Sequence, residues 1–201
     1  MKNIGIYGGS FNPVHLAHEI FAKQFIIQYD LDKLFIIPTY ISPFKSDVAL
    51  DSEMNNHRIE MLRIAFKNDY KIIIDDYEIK KEGISYTFET INYFKQKFQD
   101  SKLYMLIGED NAINFDKWKN WEYILQNVNL VIMSRISINE QIVEKIENLP
   151  HFKNYKLNFL YCSNYDISST QIRYRIKNKK SISGLLNEEI ANYISANNLY
   201  D

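Results

Sequence analysis

Two histidines three residues apart, His15 and His18, follow a Gly8-Gly9 pair and an apolar run, Ile4-Gly5-Ile6-Tyr7, at the start of the chain. An apolar run broken by glycines and followed by Pro13 reads as a strand, a turn and the opening of a helix. Such an opening gathers backbone N–H groups and the positive end of the helix dipole, which suits an anion, phosphate above all. In a first helical turn His15 and His18 share one face, so both imidazoles can donate to one phosphate chain. Taken singly, one would be a satisfied core histidine and the other a solvated side chain; the glycine turn and strand upstream favour the phosphate. Neither G-x-x-x-x-G-K-[ST] nor G-x-G-x-x-G is present.

A second group lies far along the chain at Ile167-Ser168-Ser169-Thr170-Gln171-Ile172-Arg173. Three hydroxyls ahead of an apolar-periodic segment predict a capped helix, and Arg173 shares a face with Thr170. Alone this is a well-capped helix with a surface arginine; beside the first group it is a second grip for a polyphosphate.

The elements that must hold these groups alternate along the chain. Strands are predicted at 3–7, 34–37, 72–74, 103–107, 130–133 and 157–161, and helices at 15–29, 53–66, 87–98, 111–127, 139–146, 169–176 and 187–196. This predicts a Rossmann-like, doubly wound α/β fold: a mainly parallel sheet with helices on both faces, its ligands at the carboxyl ends of the strands, where Gly8, Pro38 and Gly108 fall. We expect a single domain over 1–201, with a helical subregion from about residue 165, and a mobile loop at 38–51. The chain of 201 residues is 46% hydrophobic with a net charge of −1, so it can bury one core and lacks the basic field of a general nucleic-acid binder. Its only cysteine, Cys162, allows no internal disulfide and reads as a buried or half-buried structural thiol. No apolar run approaches the roughly 20 residues of a membrane span. A cytoplasmic protein is expected, with its oligomeric state left open.

Gly9, Phe11, Pro13, His15 and His18 fit the nucleotidyltransferase signature G-x-F-x-P-x-H-x-x-H, and Ile167–Arg173 resembles that superfamily's I-S-S-T-x-I-R element. Three further features resemble bacterial nicotinate-nucleotide adenylyltransferase: Gly83-Ile84-Ser85-Tyr86-Thr87, Gly108-Glu109-Asp110 and Trp118. The likeness runs nearly the full length, to Ile190, Tyr193, Ile194, Leu199 and Tyr200. It implies transfer of the adenylyl group of ATP to nicotinate mononucleotide, releasing diphosphate, in NAD biosynthesis. It also implies catalytic His15, His18 and Arg173, and ATP held by Gly8, Gly9, Ser10, Phe11, Lys45, Gly108, Asp110, Ile167, Ser168, Ser169 and Thr170. Ser85, Tyr86, Thr87 and Trp118 would hold the nicotinate nucleotide, the pyridine stacking on Trp118. Mg²⁺ would ride mainly on the ATP phosphates, with no dedicated protein metal site, and no nucleic-acid or membrane partner is implied.

One departure stands out. Where the family usually has proline, histidine and lysine, this chain has Pro43-Phe44-Lys45. Outside the resemblance, Tyr86 and Trp118 can be core aromatics, Trp121 is expected to be one, and Asp110 can cap a helix. Asp75, Asp76 and Glu78 read as a solvated edge, His57 and Arg58 as part of an exposed helix, and His151 as solvent-facing. Two other readings remain: another transferase of the superfamily, such as pantetheine-phosphate adenylyltransferase, and a non-catalytic nucleotide-binding module.

Overall fold

The computed structural model describes residues 1–44, 52–134, 140–162 and 165–201. Six strands, β1 (Lys2–Gly9), β2 (Lys33–Pro38), β3 (Ile72–Ile74), β4 (Ser101–Gly108), β5 (Asn129–Ser134) and β6 (Asn158–Tyr161), form one sheet in the order β3-β2-β1-β4-β5-β6. Every pairing is parallel, as the alternation of elements predicts. The winding reverses between β1 and β4, and that is where a crevice opens above the strand ends.

Side chains alternate across the sheet and feed two cores. Tyr7, Leu34, Ile36, Leu106 and Val131 pack against α1 (Leu16–Gln28), α2 (Ser52–Phe66), α8 (Ser169–Lys177) and α9 (Glu188–Ala196). Ile6, Phe35, Ile37, Met105 and Ile132 face the other way, toward α4 (Thr87–Lys97), α5 (Glu109–Ile113), α6 (Trp121–Asn127) and α7 (Glu140–Glu147). Burial on both faces explains why the strands read as apolar runs rather than as alternating ones. At Gly5 an added Cβ would come within 2.5 Å of Leu31 and 2.9 Å of Leu34, so any larger residue on β1 would push these leucines out of their present packing.

Four expectations change. The helix predicted over 111–127 is three pieces: α5, a 3-10 turn at Phe115–Lys117, and α6, with Asn120 in the left-handed region at φ 53° between the last two. The expected solvated edge contains a short helix, α3 (Tyr77–Lys81). Asp75 is buried, its carboxylate accepting the Tyr77 N–H at 3.1 Å and pairing with Lys97 at 3.1 Å, and Glu78 is buried too. His151 is half-buried rather than solvent-facing, bonded through Nε2 to the Ala112 carbonyl at 3.1 Å, and Trp121 sits on the rim of its core, half-exposed. Cys162 is buried as expected, and burial pushes its thiol up to about 11. Among the described residues no helix is long and apolar enough to cross a membrane.

Candidate active site

The strand does not stop at Gly8. Parallel pairing continues through Gly8 with Ile37 and Gly9 with Pro38, so the turn begins at Ser10. Gly9 is needed for another reason: a Cβ there would lie 2.9 Å from the Phe11 ring. Phe11, at φ 44°, folds that ring back edge-on to Tyr7 at 5.4 Å and to His18 at 5.0 Å.

Helix α1 opens at Leu16, one residue later than predicted, with His15 as its extended N-cap residue. The two imidazoles nonetheless meet, stacked at 3.7 Å and 28°. The His15 N–H donates to Nδ1 of His18 at 3.3 Å, which leaves the proton of a neutral His18 ring on Nε2. The first amide of α1 is already engaged, because Leu16 donates to the Leu185 carbonyl at 3.1 Å. That amide is therefore not open to a ligand at this helix end.

The carbonyls of the 10–13 loop are held from outside by distant elements. Arg58 of α2 donates to the Ser10 carbonyl at 2.6 Å, to the Thr39 carbonyl at 2.7 Å and to Asn55 Oδ1 at 2.5 Å. Arg173 of α8 donates to the Asn12 carbonyl at 2.7 Å and to Thr170 Oγ1 at 3.3 Å. Ser169 donates to the Pro13 carbonyl at 2.9 Å, and the Tyr200 hydroxyl to Asn12 Oδ1 at 2.5 Å. Ser168 caps α8, its Oγ accepting the Gln171 N–H at 3.2 Å. The two helix openings thus share one loop and one cavity, which Ile167 also lines.

That cavity, about 1100 Å³, continues past β4 to a second set of groups. It exceeds the roughly 300–1,000 Å³ of a typical small-molecule pocket, which gives room for two ligands. Gly108 ends β4 and caps α5, so Asp110, which is exposed and lines the cavity, is not the cap. Trp118 follows the 3-10 turn in extended backbone rather than in a helix, its ring 5.0 Å from Phe115 and 6.1 Å from Phe44. Tyr86 and Thr87 open α4. Ser85 lines the cavity but is buried, its hydroxyl accepting the Tyr40 N–H at 3.0 Å. Lys45 lies outside the described residues, as does the second half of the loop expected at 38–51.

A family model described as cytidylyltransferase-like matches residues 6–175. The chain is 38% identical over 202 residues to the probable nicotinate-nucleotide adenylyltransferase of Clostridium acetobutylicum, covering 100% of both chains. It is 37% identical over 189 residues to the protein of the same name from Aliarcobacter butzleri, covering 94% of this chain and 95% of that one. The chain belongs to the nicotinate-nucleotide adenylyltransferases, a cytidylyltransferase-like family. Its fold is that of Plasmodium falciparum nicotinic acid mononucleotide adenylyltransferase, solved with NaAD (TM-score 0.79, 24% identity, 100% of this chain and 98% of that one) and with APC (TM-score 0.77, 22% identity, 100% and 98%).

In this adenylyltransferase the cavity is also lined by Arg58 and Glu78, to which the sequence reading gave no part in the site, and by Lys119, which it did not consider. Arg58 has no solvent exposure, against its expected place on an exposed helix, and the half-buried His57 beside it meets the Tyr193 hydroxyl at 2.8 Å. The signal was present: Asn55, Arg58, Ile59, Leu62 and Phe66 recur at helical spacing and all are buried. Burial lowers Arg58 to about 10, with Tyr200 and Glu78 opposing, so it stays cationic at neutral pH. Burial raises Glu78, opposed by hydrogen bonds from Thr90 and Ser85 and by the charges of Lys81 and Arg58. Burial likewise raises the Tyr200 hydroxyl. Among the described residues no group of three or more His, Cys, Asp or Glu side chains could hold a metal ion.

Proposed function

We propose that this adenylyltransferase joins the adenylyl group of ATP to nicotinate mononucleotide, giving nicotinate adenine dinucleotide and diphosphate in cytoplasmic NAD biosynthesis. The observation that carries this reading is the shared loop: Arg173 on Asn12 and Ser169 on Pro13 bring both helix openings to one cavity with Trp118 and Tyr86.

The acceptor's 5′-phosphate oxygen is anionic at neutral pH, so no general base is required. That oxygen bonds to the α-phosphorus, the bond from the α-phosphorus to the bridging oxygen breaks, and its electron pair leaves with diphosphate. Catalysis is then alignment and charge stabilisation. The Gly8–Phe11 segment approaches the α-phosphate, while His15 and His18 donate to the α- and β-phosphates. Ser168, Ser169, Thr170 and Arg173 grip the leaving end, with Ile167 beside them and Lys45 adding a point charge. Gly108 and Asp110 serve the adenosine side, Asp110 accepting from ribose hydroxyls. Trp118 stacks on the pyridine, Ser85 supports Tyr86 and Thr87 from beneath, and the amides near Tyr86 and Thr87 receive the carboxylate. Among the described residues no His, Cys, Asp or Glu cluster offers a cage for a cation, so Mg²⁺ would be carried mainly on the ATP phosphates and would supply charge neutralisation there.

A diphosphate-release assay run with nicotinate and nicotinamide mononucleotides and with pantetheine phosphate tests the assignment. Nicotinate mononucleotide is the expected acceptor. Replacing one preorganised donor at developing charge costs about 10²–10³ in kcat, so His18→Ala should lose about that much while keeping its circular dichroism spectrum. Near-normal turnover in that variant removes His18 from the mechanism, and preference for another acceptor overturns the substrate.

A further inference from the structure

We propose that the Lys119 ammonium is a specificity-determining group of the acceptor site, pairing with the carboxylate of an anionic pyridine nucleotide and thereby rejecting the neutral carboxamide. The inference rests on the acceptor assignment above and deepens it from backbone amides to a charge.

Lys119 directly follows Trp118, and both line the cavity. Its Nζ stands 4.2 Å from the centre of the Tyr86 ring and 5.6 Å from that of Phe88. Tyr86 is the N-cap residue of α4, so the ammonium hovers over the very helix opening that would receive the carboxylate. A cation held on an aromatic face is aimed without being neutralised. Lys81, nearby in the chain's fold, is neutralised by Glu89 at 2.6 Å, whereas among the described residues Lys119 has no carboxylate partner. A pyridine stacked on Trp118 and carrying an anionic substituent would complete the charge balance that the protein leaves open. Lysine offers a mobile point charge here, adaptable to one carboxylate oxygen while the α4 amides take the other.

The geometry also explains how discrimination would arise. A carboxylate gains a charge-assisted bond worth about tenfold in affinity, and a carboxamide of the same shape leaves the ammonium facing a neutral group. A lysine that merely packed on Tyr86 would affect both acceptors alike, which makes the two readings separable.

The experiment compares wild type, Lys119→Met and Lys119→Arg in steady-state assays with nicotinate and nicotinamide mononucleotides at saturating ATP. In Lys119→Met, KM for nicotinate mononucleotide should rise about tenfold, kcat/KM for nicotinamide mononucleotide should change less than twofold, and the acceptor preference should fall accordingly. Lys119→Arg should restore the preference. An acceptor ratio within twofold of wild type in Lys119→Met, or an equal fall for both acceptors, overturns the proposal while leaving the proposed reaction standing. A wild-type protein inert toward nicotinate mononucleotide overturns that reaction, and the inference with it.

Discussion

Arg58 sits with no solvent exposure yet carries its charge, because three oxygens from two loops and its own helix surround it. Its role follows from peptide geometry. A trans peptide points its C=O and N–H in opposite directions, so drawing the Ser10 carbonyl toward Arg58 turns the Phe11 N–H the other way. The guanidinium fork spans the carbonyls of Ser10 and Thr39, fixing the ends of β1 and β2 together; a lysine can satisfy one of them and not both. A buried acceptor left unsatisfied costs about 1–3 kcal/mol, and a reacting group displaced by about 1 Å costs about a hundredfold in rate. Arg58→Lys should therefore lower kcat by about ten- to a hundredfold and lower the melting temperature, with the secondary structure retained, as kinetics and circular dichroism would read. Unchanged kcat would reduce Arg58 to a structural residue. At this scale His15, His18, Ser169 and Arg173 were legible because each stands in a patterned stretch. Arg58 was not, since charge argues for exposure and only the helical period around it argues against.

At the scale of elements, the strands were legible because buried parallel strands are apolar runs bounded by turns, and β1 to β6 fall close to their predicted ranges. The long helix over 111–127 was not, because apolar spacing persists through Phe115, Trp118 and Trp121 while the backbone turns at Asn120. That break matters, since it frees Trp118 and Lys119 to line the cavity. The C-terminal elements are tied to the site by a route that periodicity does not show. Helix α9 shares a core with α2, Lys67 just past the end of α2 pairs with Glu189 at 2.6 Å, and the chain beyond α9 delivers the Tyr200 hydroxyl to Asn12. Tyr200 holds φ 71°, a conformation costly for a tyrosine and kept only where contacts over-determine it. Tyr200→Phe removes that one hydrogen bond, worth about 0.5–1.5 kcal/mol, and leaves the ring. It should lower the melting temperature by roughly 2–4 °C per kcal/mol lost and raise KM for ATP, because Asn12 also receives Arg173. A variant with unaltered KM for ATP would show that the tail stabilises the fold without setting the loop.

On the scale of the whole molecule, the fold class was legible because strand–helix alternation leaves few topologies, and the crevice between β1 and β4 follows from the order of winding. What lies beneath the crevice was hidden, because Asp75, Asp76 and Glu78 form an acidic run that sequence alone assigns to water. Glu78 is instead buried, accepting from Thr90 at 2.6 Å with the Arg58 charge nearby. Burial dominates and holds its folded-state pKa above the ordinary 4.5. The sign follows from linkage: between 4.5 and the raised value the folded state binds more protons than the unfolded one, so stability falls as pH rises through that window. Glu19, also raised by burial, acts with the same sign. In Glu78→Gln the effect of Glu19 remains while that of Glu78 vanishes, so the difference between the two proteins isolates the buried carboxyl. Denaturant unfolding of both from pH 4.5 upward should show wild type losing stability relative to Glu78→Gln and then levelling off above the folded pKa. A difference that instead grows in favour of wild type as pH rises would mean that the Arg58 charge outweighs desolvation, and that Glu78 and Arg58 act as an ion pair under the active site.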